Sequence, residues 1–419
     1  MARQISESTK IKFSAAFQRL WTASAASNLA DGLLKTAAPL LATTLTKDPF
    51  WISTIAALSM LPWLFFAIPI GGLVDRINRR SMLAVANAFR LIAVLIIAVT
   101  TGLELITLPI LLGAVFIFGV GEVIYDTTLQ SMMPEVLTKD QLDRGNARLQ
   151  IVGTTLAEFV GAPVSGLLFA ASIALPFYFG AGGILLAVVL VLAIPRAYSI
   201  SDVPAKVKAP TGFWEDVRFG IRYLYEDKVL LKLVLLTSSI GFFFSASSST
   251  MVLFLTETLQ TPVALFGFIF AATAVGALVG SLIVPKLSER FGRTTTMAWS
   301  IFLSSVMVVI QGFSPNYLVA AALMGLSSMV ITGWNILLMS TYHQIIPGEL
   351  FGRIHGTRRT LVWGLMPVGS LLGGVLASID LRLPFIAGGI ACSVLALWGF
   401  RFVVNLETAW TSKEPQEEK

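Results

Sequence analysis

Long apolar stretches alternate with short charged loops along the whole chain. A helix needs about 20 apolar residues to cross the hydrocarbon core of a bilayer. The pattern therefore predicts an all-α integral membrane protein with twelve transmembrane helices. Their expected bounds are 17–45, 51–74, 81–102, 106–130, 149–170, 173–194, 230–256, 263–285, 295–313, 317–345, 359–379 and 383–404.

The basic residues predict the orientation of these spans. If the N-terminus is cytoplasmic, 26 of the 30 Lys and Arg residues fall on that side, and only Lys47 and Arg382 fall on the other. Because positively charged loops stay in the cytoplasm, we expect both termini there. The first apolar run is longer than a signal-peptide core and lacks a clear cleavage signal, so we expect it to remain as the first span.

Composition supports a membrane protein and excludes several function classes. Only 13% of the residues are charged and 55% are hydrophobic, whereas soluble domains carry about a quarter charged residues. A single cysteine, Cys392, and two histidines leave no disulfide framework and no metal site. No phosphate-binding loop is present, so the pattern favours no enzyme, no catalytic residue and no direct use of ATP. The basic residues lie in short loops, which is typical of topology and not of nucleic-acid binding.

A polar stretch at about 196–228 divides the spans into two sets of six. Its second part, "FWEDVRFGIRYLYEDKVLLKLV", is amphipathic and forms either a helix on the cytoplasmic interface or a solvated linker helix. The expected organisation is an N-terminal six-helix bundle, a cytoplasmic linker, a C-terminal six-helix bundle and a cytoplasmic tail. Their bounds are 1–195, 196–229, 230–405 and 406–419.

The two halves contain an internal repeat. A shift of 214 residues places "GGLVDRINRR" (71–80) on "PKLSERFGRT" (285–294), and a shift of 213 places "TTLQSMMPE" (127–135) on "STYHQIIPG" (340–348). Two matches at nearly one offset indicate two similar halves in the same orientation. Parallel repeats of this kind are one of the known transporter designs.

The stretch at 71–80 resembles the motif between spans 2 and 3 of the major facilitator superfamily. Asn78 replaces a glycine of that motif, and because Asn tolerates the left-handed backbone we expect the same turn. In the second copy Gly292 is present, but Pro285 replaces the first glycine. The residues that match the motif in the first copy are Gly71, Leu73, Asp75, Arg76, Arg79 and Arg80.

Within that superfamily the chain is similar to the drug–proton antiporter branch, which includes macrolide efflux proteins and the enterobactin exporter. "SNLADG" places an acid in span 1, "EFVGAPVSG" resembles the antiporter motif of span 5, and "GRIHGTRRTLVWGLMPVGSLLGG" leads into span 11. Gly161, Pro163 and Gly166 match the span-5 motif, with Ala162 intervening. We expect these three residues to serve close helix packing.

Charged residues inside the spans are costly and therefore mark functional candidates. The repeat places Asp31 on Ser245 and Glu122 on Asn335, so the titratable groups within the spans belong to the first half. The candidates are Asn28, Asp31 and Lys35 in span 1, Arg90 in span 3, Glu122 and Asp126 in span 4, and Glu158 in span 5.

Two interpretations of Asp31 remain open from the sequence. Asn28, Asp31 and Lys35 share one helical face, and the resemblance implies that spans 1, 4, 7 and 10 line a central cavity. Burial favours a protonated carboxyl, whereas a neighbouring ammonium favours the ionised one. Asp31, Glu122 and Lys35 could therefore couple proton movement to transport, or Asp31 and Lys35 could form a static pair.

The resemblance also implies conformational locks on the cytoplasmic side. It pairs Asp126 with Arg79, and we expect Asp75 to meet the positive N-terminal end of span 11. Met339 stands where the second half would need an acid, so we expect the second copy to be the weaker lock. Its residues are Glu289, Arg290 and Arg293. Arg90 and Glu158 are expected to be charge partners inside the membrane, with their own partners left open.

The sequence analysis favours a secondary transporter that exports an amphipathic small molecule, such as a drug, a macrolide or a siderophore-like compound, by alternating access. It would use the proton motive force without a cofactor, as a monomer in a bacterial inner membrane. A lipid or lysophospholipid flippase and a non-transporting receptor are the alternatives. Aromatic and small polar residues suit an amphipathic ligand, and the candidate cavity residues are Asn28, Phe243, Ser245, Trp334 and Asn335.

Overall fold

Helices make up most of the chain in this computed structural model, which describes residues 13–74, 77–138, 141–195, 213–346 and 351–406. No strand occurs in these ranges. The helices of the first half are α1 (Ala15–Leu45), α2 (Pro49–Val74), α3 (Arg79–Gly102), α4 (Leu108–Val136), α5 (Leu142–Thr154), α6 (Ala162–Ala171) and α7 (Leu175–Leu192). The later helices are α8 (Phe213–Glu226), α9 (Lys228–Ser248), α10 (Met251–Leu253), α11 (Val263–Phe291), α12 (Arg293–Gly312), α13 (Tyr317–Ile345), α14 (Phe351–Ala377), α15 (Leu383–Trp398) and α16 (Phe400–Val404).

Ten of the described helical segments are long and apolar enough to cross a membrane. The prediction of an all-helical membrane protein is therefore confirmed. Helix α1, with 31 residues, is absent from these ten and carries Asp31 and Lys35 in its middle. Helix α15, with 16 residues, is apolar but shorter than the other spans.

Helix bounds repeat between the two halves. Helix α2 begins at Pro49 and α11 at Val263, 214 residues later, and the same offset separates the first residues of α3 and α12, Arg79 and Arg293. Helices α4 and α13 both contain 29 residues. The repeat seen in the sequence thus extends to the lengths and order of the helices.

The expected left-handed turn at Asn78 is wrong. Asn78 has φ −55° and caps α3, because its side chain accepts a hydrogen bond from the backbone N–H of Ser81 at 3.1 Å. Asparagine is among the preferred N-cap residues. At the equivalent position of the second half, Gly292 has φ +84°, a conformation that glycine adopts without steric cost. The two turns are therefore built differently.

Within the described ranges, two helical segments contain a π-helical stretch. Residues Thr155–Gly161 join α5 to α6, and Phe254–Thr258 follow α10. The first of these packs closely on α1, since a Cβ on Gly32 would overlap the backbone of Ala157. π-Helical turns occur frequently at functional sites, and this one carries Glu158.

The two halves meet at the end of the bundle where α1 finishes, which we call the distal end. Lys47, after α1, lies 2.5 Å from Glu257, which belongs to the second half. A Cβ on Gly374 of α14 would overlap the Ser53 side chain of α2. Nearer the middle, the rings of Trp63 and Trp363 meet edge to face, 5.3 Å apart. These contacts close the molecule at the distal end and leave a central space.

Candidate functional site

A cavity of about 880 Å³ lies between the two halves. Cavities of 300–1,000 Å³ are typical of small-molecule sites. Six aromatic side chains line it, namely Trp63, Phe118, Phe244, Phe270, Trp363 and Phe385. The polar lining residues are Lys35, Ser59, Glu122, Asp126, Ser247, Ser248, Ser249, Thr273, Gln311, Ser327 and Ser328.

An ion pair stands in the wall of this cavity. The Lys35 ammonium on α1 lies 3.1 Å from the Glu122 carboxylate on α4. The Lys35 side chain is 59% exposed, whereas that of Glu122 is 20% exposed. Both residues line the cavity, so a ligand bound there would share its space with a charged pair.

Asp31 has a different partner from the expected Lys35. The Arg90 guanidinium on α3 contacts the Asp31 carboxylate and also donates to Ser27 Oγ at 2.5 Å and to Asn87 Oδ1 at 3.2 Å. Arg90 is fully buried and packs against the rings of Phe118 and Tyr125. The static Asp31–Lys35 pair is therefore wrong, because Arg90 reaches Asp31 from behind the cavity wall.

Four acids and two bases lie close together in this half. Glu122 is within electrostatic range of Arg90 as well as Lys35. Asp126 lines the cavity one turn from Glu122, and both Asp126 and Glu158 interact electrostatically with the Lys35 ammonium. With all six groups ionised, the cluster carries an excess of two negative charges. Among the residues whose side chains the structure describes, those that line the cavity from the second half are all uncharged.

The cavity residues expected in the second half differ from those observed. Phe244, not Phe243, lines the cavity, because successive helical residues point about 100° apart. Phe243 instead packs into the core of the second half. Ser245 is buried between helices and donates to the carbonyl oxygen of Met366 at 2.9 Å, 2.7 Å from Ser370 Oγ. The neighbouring serines 247–249 line the cavity in its place.

The remaining expected cavity residues also lie elsewhere. Trp334 is 4% exposed in the core of the second half. Asn335 is exposed outside the cavity lining. Asn28 donates to the backbone oxygen of Ser24 at 2.7 Å, and its side chain faces Gly153 of α5. On α13 the lining positions are instead Met324, Ser327, Ser328 and Ile331, about one to three turns earlier along the helix.

The expected lock residues occupy the end opposite the distal end. Arg79 forms an ion pair with Glu135 at the end of α4, and not with the expected Asp126. Glu135 is nine residues further along α4, about 13 Å along the helix axis, and this places it at the level of the α3 N-terminus. Arg80 donates to the carbonyl oxygen of Leu192. Gly71 lies at the end of α2 with open space beside it, and Asp75 and Arg76 are outside the described residues.

The second copy of the lock lacks an acidic partner for its arginine within the described residues. Arg293 lies within hydrogen-bonding distance of Thr341 Oγ1 at 3.2 Å. Arg290 lies over the ring of its neighbour Phe291, and Glu289 is exposed. The second copy thus contacts a hydroxyl where the first copy contacts a carboxylate.

The span-5 motif forms close backbone contacts on two sides. A Cβ on Gly161 would lie 2.9 Å from Gly32 Cα of α1, and one on Gly166 would lie 3.0 Å from the backbone nitrogen of Gly267 on α11. A Cβ on Gly267 would overlap the carbonyl oxygen of Ala162 and lie 2.6 Å from Pro163 Cα. The motif therefore joins α6 to both α1 and the second half.

A family comparison agrees with this architecture. The profile of the transmembrane secretion effector family, a group of the major facilitator superfamily, matches residues 12–417. The chain belongs to this family. It is a membrane transporter of the major facilitator type, and several of its relatives are efflux proteins.

Relatives and solved structures match over most of the chain. The multidrug efflux pump Tap of Mycobacterium tuberculosis is 26% identical over 358 residues, which cover 82% of this chain and 81% of Tap. Macrolide efflux protein A of Streptococcus pyogenes is 23% identical over 372 residues, which cover 86% of this chain and 89% of the efflux protein. The inward-facing structure of a bacterial homologue of the iron transporter ferroportin gives a TM-score of 0.75 at 14% identity, with coverage of 93% and 98%. The structure of a point mutant of the nucleoside transporter NupG gives a TM-score of 0.71 at 14% identity, with coverage of 96% and 100%. The fold is therefore shared with these transporters.

Proposed function

We propose that this protein exports an amphipathic small molecule in exchange for protons across a bacterial inner membrane. The single observation that carries the proposal is the Lys35–Glu122 pair in the wall of an otherwise largely apolar, aromatic cavity between the halves. Multidrug and macrolide efflux by the relatives supports the direction and the class of substrate.

Protons would act at the cavity acids and not at Asp31. Glu122 and Asp126 are in the cavity lining, whereas Asp31 is 7% exposed and bound to Arg90. A carboxylate within a bilayer is costly unless it is paired or protonated. Proton binding at Glu122 would therefore favour a different state of the cavity from substrate binding, and such differential affinity is what exchange requires.

Alternating access would rock the two halves about the cavity. The distal contacts at Lys47–Glu257 and at Gly374 must open to release substrate on that side, and the opposite end must close. We place the distal end outside the cell, with both termini in the cytoplasm, because 26 basic residues would then lie inside. In this arrangement α1 and the α15–α16 segment complete twelve spans, and the transporter works as a monomer without ATP.

Reconstituted vesicles test the proposal. Substrate uptake into inside-out vesicles is measured with and without a pH gradient, together with the protons released on substrate addition. Wild-type protein should accumulate substrate only with the gradient, and Glu122→Gln should lose substrate-driven proton release. Glu257→Gln, at the distal surface, is the matched control and should retain it.

Other outcomes would favour the other classes of function. Transport of a fluorescent lysophospholipid without dependence on pH would indicate a flippase. Absence of any flux for drugs and lipids would indicate a receptor. Unchanged proton release in Glu122→Gln would contradict the role assigned to Glu122.

A further inference from the structure

The Lys35–Glu122 pair also indicates how the cavity treats a charged ligand. We propose that Lys35 is a tethered competitor of the substrate: its ammonium occupies Glu122 in the empty transporter and gives way to a positively charged group of the substrate. The inference rests on the proposed function and narrows the substrate to amphipathic molecules that carry a cationic centre.

The first support is the position of the pair. Lys35 and Glu122 belong to different helices, α1 and α4, and both line the cavity. The Lys35 side chain is 59% exposed, so much of its surface is not in contact with protein. Lysine is a compact charge on a flexible four-carbon stem, which lets the ammonium leave Glu122 without movement of the helix.

The second support is the local excess of acids. A displaced Lys35 ammonium remains within electrostatic range of Asp126 and Glu158. Arg90 cannot take over Glu122 completely, because it is fully buried and already holds Asp31, Ser27 and Asn87. A cation on Glu122 therefore leaves Lys35 near other carboxylates, whereas an isolated buried ammonium would be costly.

The third support is the rest of the cavity. Among the residues whose side chains the structure describes, its charged lining residues are two acids and one base, namely Glu122, Asp126 and Lys35. Trp63, Phe244 and Trp363 line the cavity, and aromatic rings attract cations and pack against apolar groups. An anionic ligand would meet two carboxylates here, whereas a lipophilic cation finds both its charge and its apolar surface matched.

A functional consequence follows for the transport cycle. A carrier that has released a cation must return with Glu122 compensated, since an unpaired carboxylate within the bilayer opposes the movement. In the proposed exchange a bound proton supplies that compensation, and Lys35 supplies it from the protein itself whenever no proton occupies Glu122. At about pH 8.5, where free carboxyls are ionised, net efflux should therefore depend on Lys35 more than exchange of bound for free substrate does.

Binding measurements with two matched probes test this inference. Tetraphenylphosphonium supplies a lipophilic cation and triphenylphosphine oxide a neutral counterpart, and binding is followed by the fluorescence of the tryptophans at the cavity. At about pH 8.5, where free carboxyls are ionised, Lys35→Met should bind tetraphenylphosphonium about tenfold more tightly. The neutral probe should change less than about twofold. Lys286→Met, an exposed lysine outside the cavity, is the control and should match wild type.

Two further variants test whether tighter binding of the cation in Lys35→Met comes from the loss of competition for Glu122. In the Glu122→Gln background, Lys35→Met should give no gain, because the competition requires the carboxylate. Lys35→Arg retains the positive charge and should keep the wild-type preference between the probes. In vesicles at about pH 8.5 on both sides, Lys35→Met should slow net efflux of tetraphenylphosphonium and retain its exchange.

The possible results separate the two proposals. Binding of both probes by wild-type protein without tighter binding of the cation in Lys35→Met would overturn the competitor role alone. Equal tightening of both probes would do the same, since it would show only that space had been created. Failure of wild-type protein to bind or transport either probe or any other amphipathic compound would overturn the proposed function as well.

Discussion

Arg90 holds Asp31 in the buried interior of the first half, and neither residue lines the cavity. Arg90 is fully buried on α3, and Asp31 is 7% exposed on α1. Removal of one partner of a buried ion pair leaves an uncompensated charge and costs about 3–5 kcal/mol. The pair therefore serves the stability of the first half.

We expect Arg90→Met to lower the thermal unfolding temperature of the purified protein markedly, because Asp31 would lose its partner. Arg90→Met combined with Asp31→Asn should recover most of the loss, since no unpaired charge remains. Thermal unfolding in detergent measures both. If Asp31→Asn alone abolished proton release while stability was unchanged, Asp31 would be a coupling residue after all.

Two adjacent phenylalanines have different roles, one in the cavity and the other in the core of the second half. Phe244 lines the cavity, whereas Phe243 packs into the core of the second half. Phe244→Ala should weaken binding of an aromatic substrate by about tenfold, a typical loss for a buried aromatic contact. Phe243→Ala should instead lower thermal stability and leave substrate affinity near that of wild type. Titration of substrate binding to both variants tests this prediction. Weaker binding by Phe243→Ala than by Phe244→Ala would contradict the observed cavity lining.

Gly267 is needed for the contact between α11 and α6. A Cβ there would overlap the carbonyl oxygen of Ala162, and overpacking of this kind costs about 1–3 kcal/mol. Gly267→Ala should therefore loosen the contact between the halves and lower the unfolding temperature. Gly113→Ala on α4 meets open space within 4 Å and serves as the control. Equal unfolding temperatures for the two variants would show that α6 and α11 separate at no cost.

The distal end must open during transport if the halves alternate. Lys47 Nζ lies 2.5 Å from Glu257 Oε1, with both side chains largely exposed. Lys47→Cys with Glu257→Cys, joined by a short bifunctional thiol reagent, should reduce transport at least about tenfold. Each single variant should retain activity, because an exposed ion pair contributes only about 0–1 kcal/mol. Full activity after confirmed cross-linking would show that this end stays closed during the cycle.

Several features of the site can be predicted from the sequence alone. The excess of titratable groups within the first half, the repeat and the close-packing glycines all depend on residue type and spacing. Glu122 and Lys35 were candidates because a charge in an apolar span is rare and costly. The Lys35–Glu122 ion pair cannot be predicted in this way, because it depends on how α1 and α4 are rotated toward each other.

The partners of the arginines show the same limit. Asp31 and Lys35 share a helical face, yet Asp31 contacts Arg90 from α3, 59 residues away. Arg79 contacts Glu135, which lies nine residues beyond the expected Asp126 on the same helix. In each case the prediction identified a charged residue correctly but not the residue that pairs with it.

The sequence by itself determined the helical membrane architecture, the family and the half that carries the charges, because hydropathy, motif spacing and residue type are local properties. Only the tertiary structure decided which acids face the cavity, which phenylalanine lines it and which cation compensates each carboxylate. Those features depend on helix rotation and on contacts between distant segments. A rotation of 100° per residue separates Phe243 from Phe244, and no local pattern specifies which of two adjacent apolar residues points inward.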